Sequence, residues 1–161
     1  MNLTNFLDQN GITYRTYYHD KTYDAQHMAQ LLHVSGRKIA KAVLIRDSKG
    51  PNFIVVVVPA TNRVDLQRVA AVLRGTDVRL ATEPEIRECC GGCESGVVPL
   101  FGSHYGLQTI IDESVSKQDE LVFQGSTHAD SVSMRFADFY LLEHPRIATI
   151  AEQHDETTLA L

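Results

Sequence analysis

Two runs of the chain, Ile39 to Ile45 and Phe53 to Val58, read as strands of buried character, and the Asp47-Ser-Lys-Gly-Pro-Asn52 stretch between them is dense in turn formers. The two should pair as a hairpin. At 161 residues and 43% apolar content the sequence fits one domain, spanning 1–161, with enough apolar mass to form a core without metals or disulfides.

The elements around the hairpin alternate in type. Leu3, Phe6 and Leu7 repeat at helical spacing within Asn2 to Asn10 and stop at Gly11. Ile12 to Tyr18 alternates like a strand, and Thr22 and Asp24 offer caps for a helix over Ala25 to Leu32. After the hairpin, Thr61 or Asn62 can cap a helix that carries Val64, Leu66, Val69, Ala70 and Leu73, and Gly75 closes it. Val78 to Leu80 is a short strand, and Thr82-Glu-Pro-Glu85 is a capping box that opens a helix running to about Cys90. Strands are expected at Leu107 to Ile111, Leu121 to Phe123 and Val132 to Phe136. Helices are expected at Ala137 to Leu142 and Arg146 to Gln153, parted by Pro145. Interspersed helices and strands with hairpin pairs give an α/β or α+β class with a mixed sheet.

Between the fourth helix and the next strand lies Cys93-Glu-Ser-Gly-Val-Val-Pro-Leu-Phe-Gly-Ser-His-Tyr105, a segment with no helix or strand period. Glycine lets backbone approach a ligand closely, and free amides there can position a water or polarise an ester, chemistry that needs no nucleophilic side chain. The same segment could also be a plain surface turn.

Lys41 stands in an otherwise apolar strand start, where an ammonium group needs an edge, a cleft or an anion. It is either a lysine on the solvent face of an edge strand or an anchor for phosphate or carboxylate. His128, after Gly125-Ser-Thr, either faces a shared cleft or sits on a surface turn. Asp112 ends a strand, and Asp138 is placed to cap a helix.

The formal charge of -5 works against a basic polyanion-binding protein, but four of the ten residues from Arg37 to Arg46 are Lys or Arg. Cys89, Cys90 and Cys93 lie within five residues and form a poor disulfide framework. Cys90-Gly-Gly-Cys93 with His104 invites a metal or redox reading, yet lacks a second ligand pair at matching spacing. No apolar run spans a bilayer and no secretory signal opens the chain, so a cytoplasmic protein without a membrane partner is expected. No Ser-His-Asp order, Walker loop or dinucleotide fingerprint is present.

Gly36-Arg-x-x-Ala-Lys41-Ala-Val, Pro59-Ala-x-x-Arg63-Val-Asp65-Leu, Val78-Arg-Leu-Ala-Thr-Glu-x-Glu85, Gly96-x-x-Pro99-x-Phe-Gly102, Phe123-x-Gly125-x-x-His128 and Phe136-Ala-Asp-Phe139 occur in that order. Together they resemble the YbaK and prolyl-tRNA synthetase editing-domain family across roughly residues 25–142. The resemblance implies an α/β domain with a mixed, barrel-like sheet surrounded by helices. It also implies a free-standing enzyme that hydrolyses the ester of mischarged aminoacyl-tRNA in trans. Lys41 matches the family lysine required for activity and thought to hold the tRNA acceptor end. Gly96 and Pro99 match the loop beside the scissile ester.

Val97, Val98, Phe101, Gly102, Gly125 and His128 fall in the loop and turn that the resemblance places around the substrate. It further implies no metal and no cofactor, with water or a substrate thiol attacking while a ribose hydroxyl and the loop backbone orient it. The 3′ acceptor end of tRNA is the implied partner, with a synthetase as a candidate presenter and no DNA. The loop reads Gly-Val-Val-Pro where many relatives carry Gly-x-x-Thr-Pro or a longer glycine run. Beside this reading stand a non-catalytic module that binds an aminoacyl group, small amino acid or tRNA end, and a thiol protein built on the three cysteines.

Overall fold

The computed structural model describes residues 1–22, 24–49, 52–75 and 77–153. In chain order its elements are α1 (Leu3–Gln9), β1 (Tyr14–Tyr18), α2 (Ala25–Leu32), β2 (Ala40–Asp47), β3 (Phe53–Pro59), α3 (Leu66–Val72), β4 (Val78–Leu80), α4 (Glu83–Cys89), β5 (Gln108–Asp112), α5 (Glu113–Ser116), β6 (Glu120–Gln124), β7 (Asp130–Arg135), α6 (Phe136–Glu143) and β8 (Arg146–Ala148). Short 3-10 turns cover Gly36–Lys38 and Gly102–Tyr105.

β2 and β3 form the expected antiparallel hairpin, with Ala40 opposite Pro59 and Arg46 opposite Phe53; Gly50 and Pro51 of its turn lie outside the described residues. The pair sits inside a five-stranded mixed sheet of order β4-β2-β3-β5-β8, antiparallel on the β4 side and parallel from β3 to β8. The run Phe53-Ile-Val-Val-Val-Val in β3 serves two faces because side chains alternate along a strand. Val55 and Val57 enter one core, with Leu44, Ile111 and the aromatic residues, whereas Ile54, Val56 and Val58 enter another, with Val69, Ile110 and Ile150.

A second sheet, β1-β7-β6, is antiparallel throughout. Leu121, Phe123, Val132 and Met134 of this sheet share the first core with Val55, Val57 and Ile111 of the larger one. One parallel bridge, Ile39 to Val122, stitches the two sheets together. The fold is therefore the expected mixed α/β arrangement, but its strands form two sheets joined at a seam and no closed barrel. β4 covers β2 only from Ile45 to Asp47. The stretch Ala40 to Val43, just past the seam, has no strand on its second side among the described residues.

Two local expectations are corrected. The helix after β3 is capped by Asp65, whose carboxylate accepts from the Gln67 and Arg68 amides at 3.0 and 3.2 Å, and not by Thr61 or Asn62. Asn62 is instead spent on the Glu152 carbonyl at 2.9 Å, and Val64 bridges Ala151. The segment expected as a last helix, Arg146 to Gln153, begins with the strand β8, parallel to β5. Pro145 ends α6 as foreseen. The open edge of β5 then offers a ladder to β-branched Ile147, while Ile150 and Ala151 gain burial and donate to Asp112 at 2.9 Å each, which outweighs local helix preference.

The Thr82 capping box is present as expected, and Glu85 also receives Arg46 and Arg79. Asp138 is not a cap. It lies in the first turn of α6, where it accepts from the Arg135 guanidinium at 3.0 and 3.1 Å, and Arg135 occupies the cap position without a side-chain bond to the helix amides. Among the described residues no helix is long and apolar enough to cross a membrane.

Candidate active site

Where β2 leaves the seam, a cavity of about 490 Å³ opens. Ala40, Lys41 and Ala42 line it from the free edge of β2, and Ala60 from the end of β3. Gly96, Val98 and Leu100 contribute the loop side, Gln124 the end of β6, and Thr22, Asp24, Ala25 and Met28 the side of α2. Short alanine side chains on the strand edge leave the space, and the glycine-proline loop closes one flank of it.

Among the described residues Lys41 is the one lysine or arginine in this lining. It is half-buried, and burial lowers its pKa from the ordinary lysine value, with the like charge of Arg63 lowering it further. Among the described residues its ammonium meets no carboxylate and makes no hydrogen bond. A half-desolvated cation left in this state is an open position for an anion. Lys41 thus stands both on the free edge of β2 and in the cavity wall.

The loop earns its shape from three devices. Gly96 sits at φ +86°, the left-handed region that glycine adopts freely. Phe101 is fully buried, packed edge-on against Phe6, Phe123 and Phe139 at centroid distances of 5.2, 6.0 and 5.4 Å. Gly102 follows it where a Cβ would come within 2.5 Å of Thr109 Oγ1, and its amide donates to that oxygen. Val97 and Pro99 are buried as well. So Val98 reaches the cavity, whereas Val97, Pro99, Phe101 and Gly102 are buried and are not among its lining residues, and Phe101 anchors the loop in the core. Among the described residues, the amides of Gly96 and Val98 donate to no protein acceptor.

His128 is neither on the surface nor in the cavity wall. It is 5% exposed and acts as a hub behind the wall. Its Nε2 lies 2.9 Å from the Ser95 carbonyl, which can only accept, so Nε2 carries the proton and Nδ1 accepts from Gln124 Nε2 at 3.0 Å. Its backbone amide donates to Glu94 at 2.9 Å, and its carbonyl accepts from Thr22. The bond from the His128 amide is the main reason the Glu94 carboxyl is held below its ordinary pKa, with Lys21 at 3.6 Å adding to the effect. Residues 94–96 are thereby tied to the β6–β7 turn. Gly125 belongs to that turn, where a Cβ would strike Asp130 at 2.0 Å, and it does not line the cavity.

Thr22, Met28 and Gln124 were not legible as site residues. Thr22 is buried, with its hydroxyl 3.1 Å from the Asp24 carbonyl, and Gln124 couples the cavity to His128. A polar Gln directly after the apolar run Leu121 to Phe123 was the signal available for the latter. The cysteines stand apart: burial pushes the Cys90 thiol up to about 12 and also raises Cys89. Among the described residues no group of three His, Cys, Asp or Glu is placed to hold a metal ion. His104 packs against Phe6 and Tyr105.

The sequence profile of the aminoacyl-tRNA editing domain matches residues 19–140, a span that contains every residue lining the cavity. The chain belongs to the aminoacyl-tRNA editing domain family. A relative from Escherichia coli K12, the multifunctional Ser/Thr-tRNA deacylase ProXp-y, is 24% identical over 144 residues, which is 88% of this chain and 86% of that protein. Among solved structures, hypothetical protein APE2540 superposes with a TM-score of 0.84 at 21% identity, over 94% of this chain and all of that one. A protein provisionally described as a trans-editing enzyme for prolyl tRNA synthetase superposes with a TM-score of 0.82 at 23% identity, over 94% and 96% of the two chains. These structural likenesses establish that the editing-domain fold is shared.

Proposed function

We propose that this editing-domain protein is a free-standing deacylase that hydrolyses the ester of mischarged aminoacyl-tRNA in trans. The observation that carries the reading is Lys41, a half-buried ammonium without a protein partner among the described residues, at a cavity also lined by Gly96 and Val98, whose amides donate to no protein acceptor among those residues. A phosphate of the acceptor end supplies the anion that Lys41 lacks. The aminoacyl group then enters the space beside Ala40, Ala42 and Met28.

In the proposed reaction a water adds to the ester carbonyl carbon, the carbonyl oxygen becomes an oxyanion, and the ribose oxygen departs with a proton to leave free amino acid and tRNA. Loop amides are suited to the oxyanion because they are fixed donors that need no reorganisation. Holding the ester by its phosphate at Lys41 fixes it relative to those donors, which supplies orientation. Pro99 and Phe101 contribute by keeping the loop in register, and His128 by tying Ser95 behind Gly96. No metal has a step in this scheme.

The relative ProXp-y bears the name of a Ser/Thr-tRNA deacylase, and the hydroxyl of Thr22 and the amide of Gln124 at the cavity wall are compatible with a hydroxylated amino acid. A screen against seryl-, threonyl-, alanyl- and cysteinyl-tRNA tests the proposal. Release of amino acid from at least one, undiminished by a metal chelator, is expected; saturable binding with no release from any of them would contradict it.

A further inference from the structure

Among the described residues six of the fifteen lysines and arginines sit in ion pairs. Arg46 and Arg79 share Glu85, Arg68 meets Asp65, Arg135 meets Asp138, Lys117 meets Glu113 and Lys21 meets Glu94. Arg37 and Arg63, like Lys41, meet no carboxylate, and their side chains make no hydrogen bond among the described residues. The basic run noticed from Arg37 to Arg46 is thus divided: its far end is neutralised by Glu85, and its near end is left open.

The turn Pro59 to Asn62 brings these open cations into one region. On one side of it lies the cavity of Lys41, through Ala60; on the other lies a second groove of about 350 Å³, lined by Arg37, Pro59, Thr61, Asn62, Lys117 and Gln118 among others. Gly36 permits the approach of Arg37 to this turn, since a Cβ there would stand 2.9 Å from the Thr61 methyl. Arg63 follows the turn directly and is close enough to Lys41 to act on its charge.

The second groove also holds two carboxylates, so its formal charges, Arg37 and Lys117 against Asp112 and Glu113, sum to zero. Asp112 is buried and already accepts from Ile150, Ala151 and the amide and hydroxyl of Ser114, while Glu113 pairs with Lys117 at 3.5 Å. Arg37 is the one of these four charged groups with neither an ion pair nor a side-chain hydrogen bond among the described residues. Lys41 in the cavity wall, Arg63 just past the turn and acting on its charge, and Arg37 in the adjoining groove suit a ligand with several spaced negative charges better than a single carboxylate.

We infer that Arg63 and Arg37 form a second phosphate station, 5′ to the one at Lys41, so that the single-stranded acceptor end crosses the Pro59 to Asn62 turn and lodges its next nucleotide in the second groove. This rests on the deacylase reading for the identity of the strand. The amide of Gln118 and the hydroxyl of Thr61 give that groove hydrogen-bonding groups for a base edge.

The test uses the whole protein and two probes that carry no aminoacyl group, adenosine 5′-monophosphate and the 5′-phosphorylated trinucleotide CCA, titrated by NMR shift changes across a salt series. Wild type should bind the trinucleotide more tightly, with a log affinity against log salt slope steeper by roughly 0.7 for each further phosphate engaged. R63Q and R37Q should each lose about that increment for the trinucleotide and keep the monophosphate affinity within about twofold. Equal wild-type affinities and slopes for the two probes would overturn the second station, as would variants that bind the trinucleotide like wild type. Deacylation by wild type is measured alongside, so a failed station with intact deacylation leaves the deacylase reading standing. A deacylase reading that fails alone shows as no release with both probes still distinguished.

Discussion

His128 is the residue whose role the structure changes most, and its removal offers a quantitative test. His128→Ala deletes the bond from Nε2 to the Ser95 carbonyl and the bond accepted from Gln124, at 2.9 and 3.0 Å, while sparing the backbone bonds to Glu94 and Thr22. Each such bond contributes about 1 kcal/mol net, and a partner left unsatisfied costs about 1–3 kcal/mol. Ser95 is exposed, so water can replace the imidazole at its carbonyl. The cost is therefore set near the low end, about 2–3 kcal/mol in all. For a domain of this size that is a fall in Tm of roughly 5–10 °C by thermal denaturation.

If His128 only positions the loop, kcat/KM should fall with loop order, and the shape of the pH-rate profile should be the same in wild type and in His128→Gln, which can keep a donor toward Ser95. A variant that melts like wild type but has lost all turnover would refute the positioning role and make the imidazole a chemical participant. Unchanged melting together with unchanged turnover would refute the hub itself.

Other outcomes follow from charge. Burial and Arg63 depress the Lys41 pKa, so the ammonium is lost at lower pH than in an ordinary lysine, and affinity for a phosphate probe should fade as pH rises through that lowered value. R63Q removes a like charge and should move the fading to higher pH, readable in a pH series of monophosphate titrations. For Asp112, burial works to raise the pKa, but bonds from the Ser114 hydroxyl and the Ile150, Ala151 and Ser114 amides outweigh it and leave it below the ordinary value. A carboxyl with a depressed folded pKa stabilises above its unfolded value of about 4, and that contribution is lost as pH falls through the folded pKa. Denaturant melts should accordingly show stability declining below about pH 4, with a shallower decline in Asp112→Asn.

Much of the frame could be read from residue pattern because local and tertiary preferences agree. The Phe53 to Val58 run demanded a buried strand, and the Thr82 to Glu85 box begins a helix where its geometry requires. Arg146 to Gln153 misled because helical spacing in a short segment says nothing about the free edge of β5 or the Asp112 carboxylate waiting for two amides. The candidate site divides in the same way. Lys41 stood out as a charge in an apolar strand, and Gly96 as a residue fit for positive φ. Phe101 and His128, in contrast, sit within motifs that mark the site, yet both are buried and act on it from behind. Sequence order records that such residues belong together, not which of them touches the cavity.

The central claim is that Lys41 supplies the anion anchor of a hydrolytic cleft. Its most direct measurement is single-turnover release of amino acid from the mischarged tRNA found to be a substrate, with wild type and Lys41→Ala side by side. Loss of one charge-assisted contact of about 1.5–3 kcal/mol predicts a fall in kcat/KM of about 10–100-fold, with the fold intact by thermal melting. A Lys41→Ala protein that is folded and releases amino acid at the wild-type rate would contradict the account.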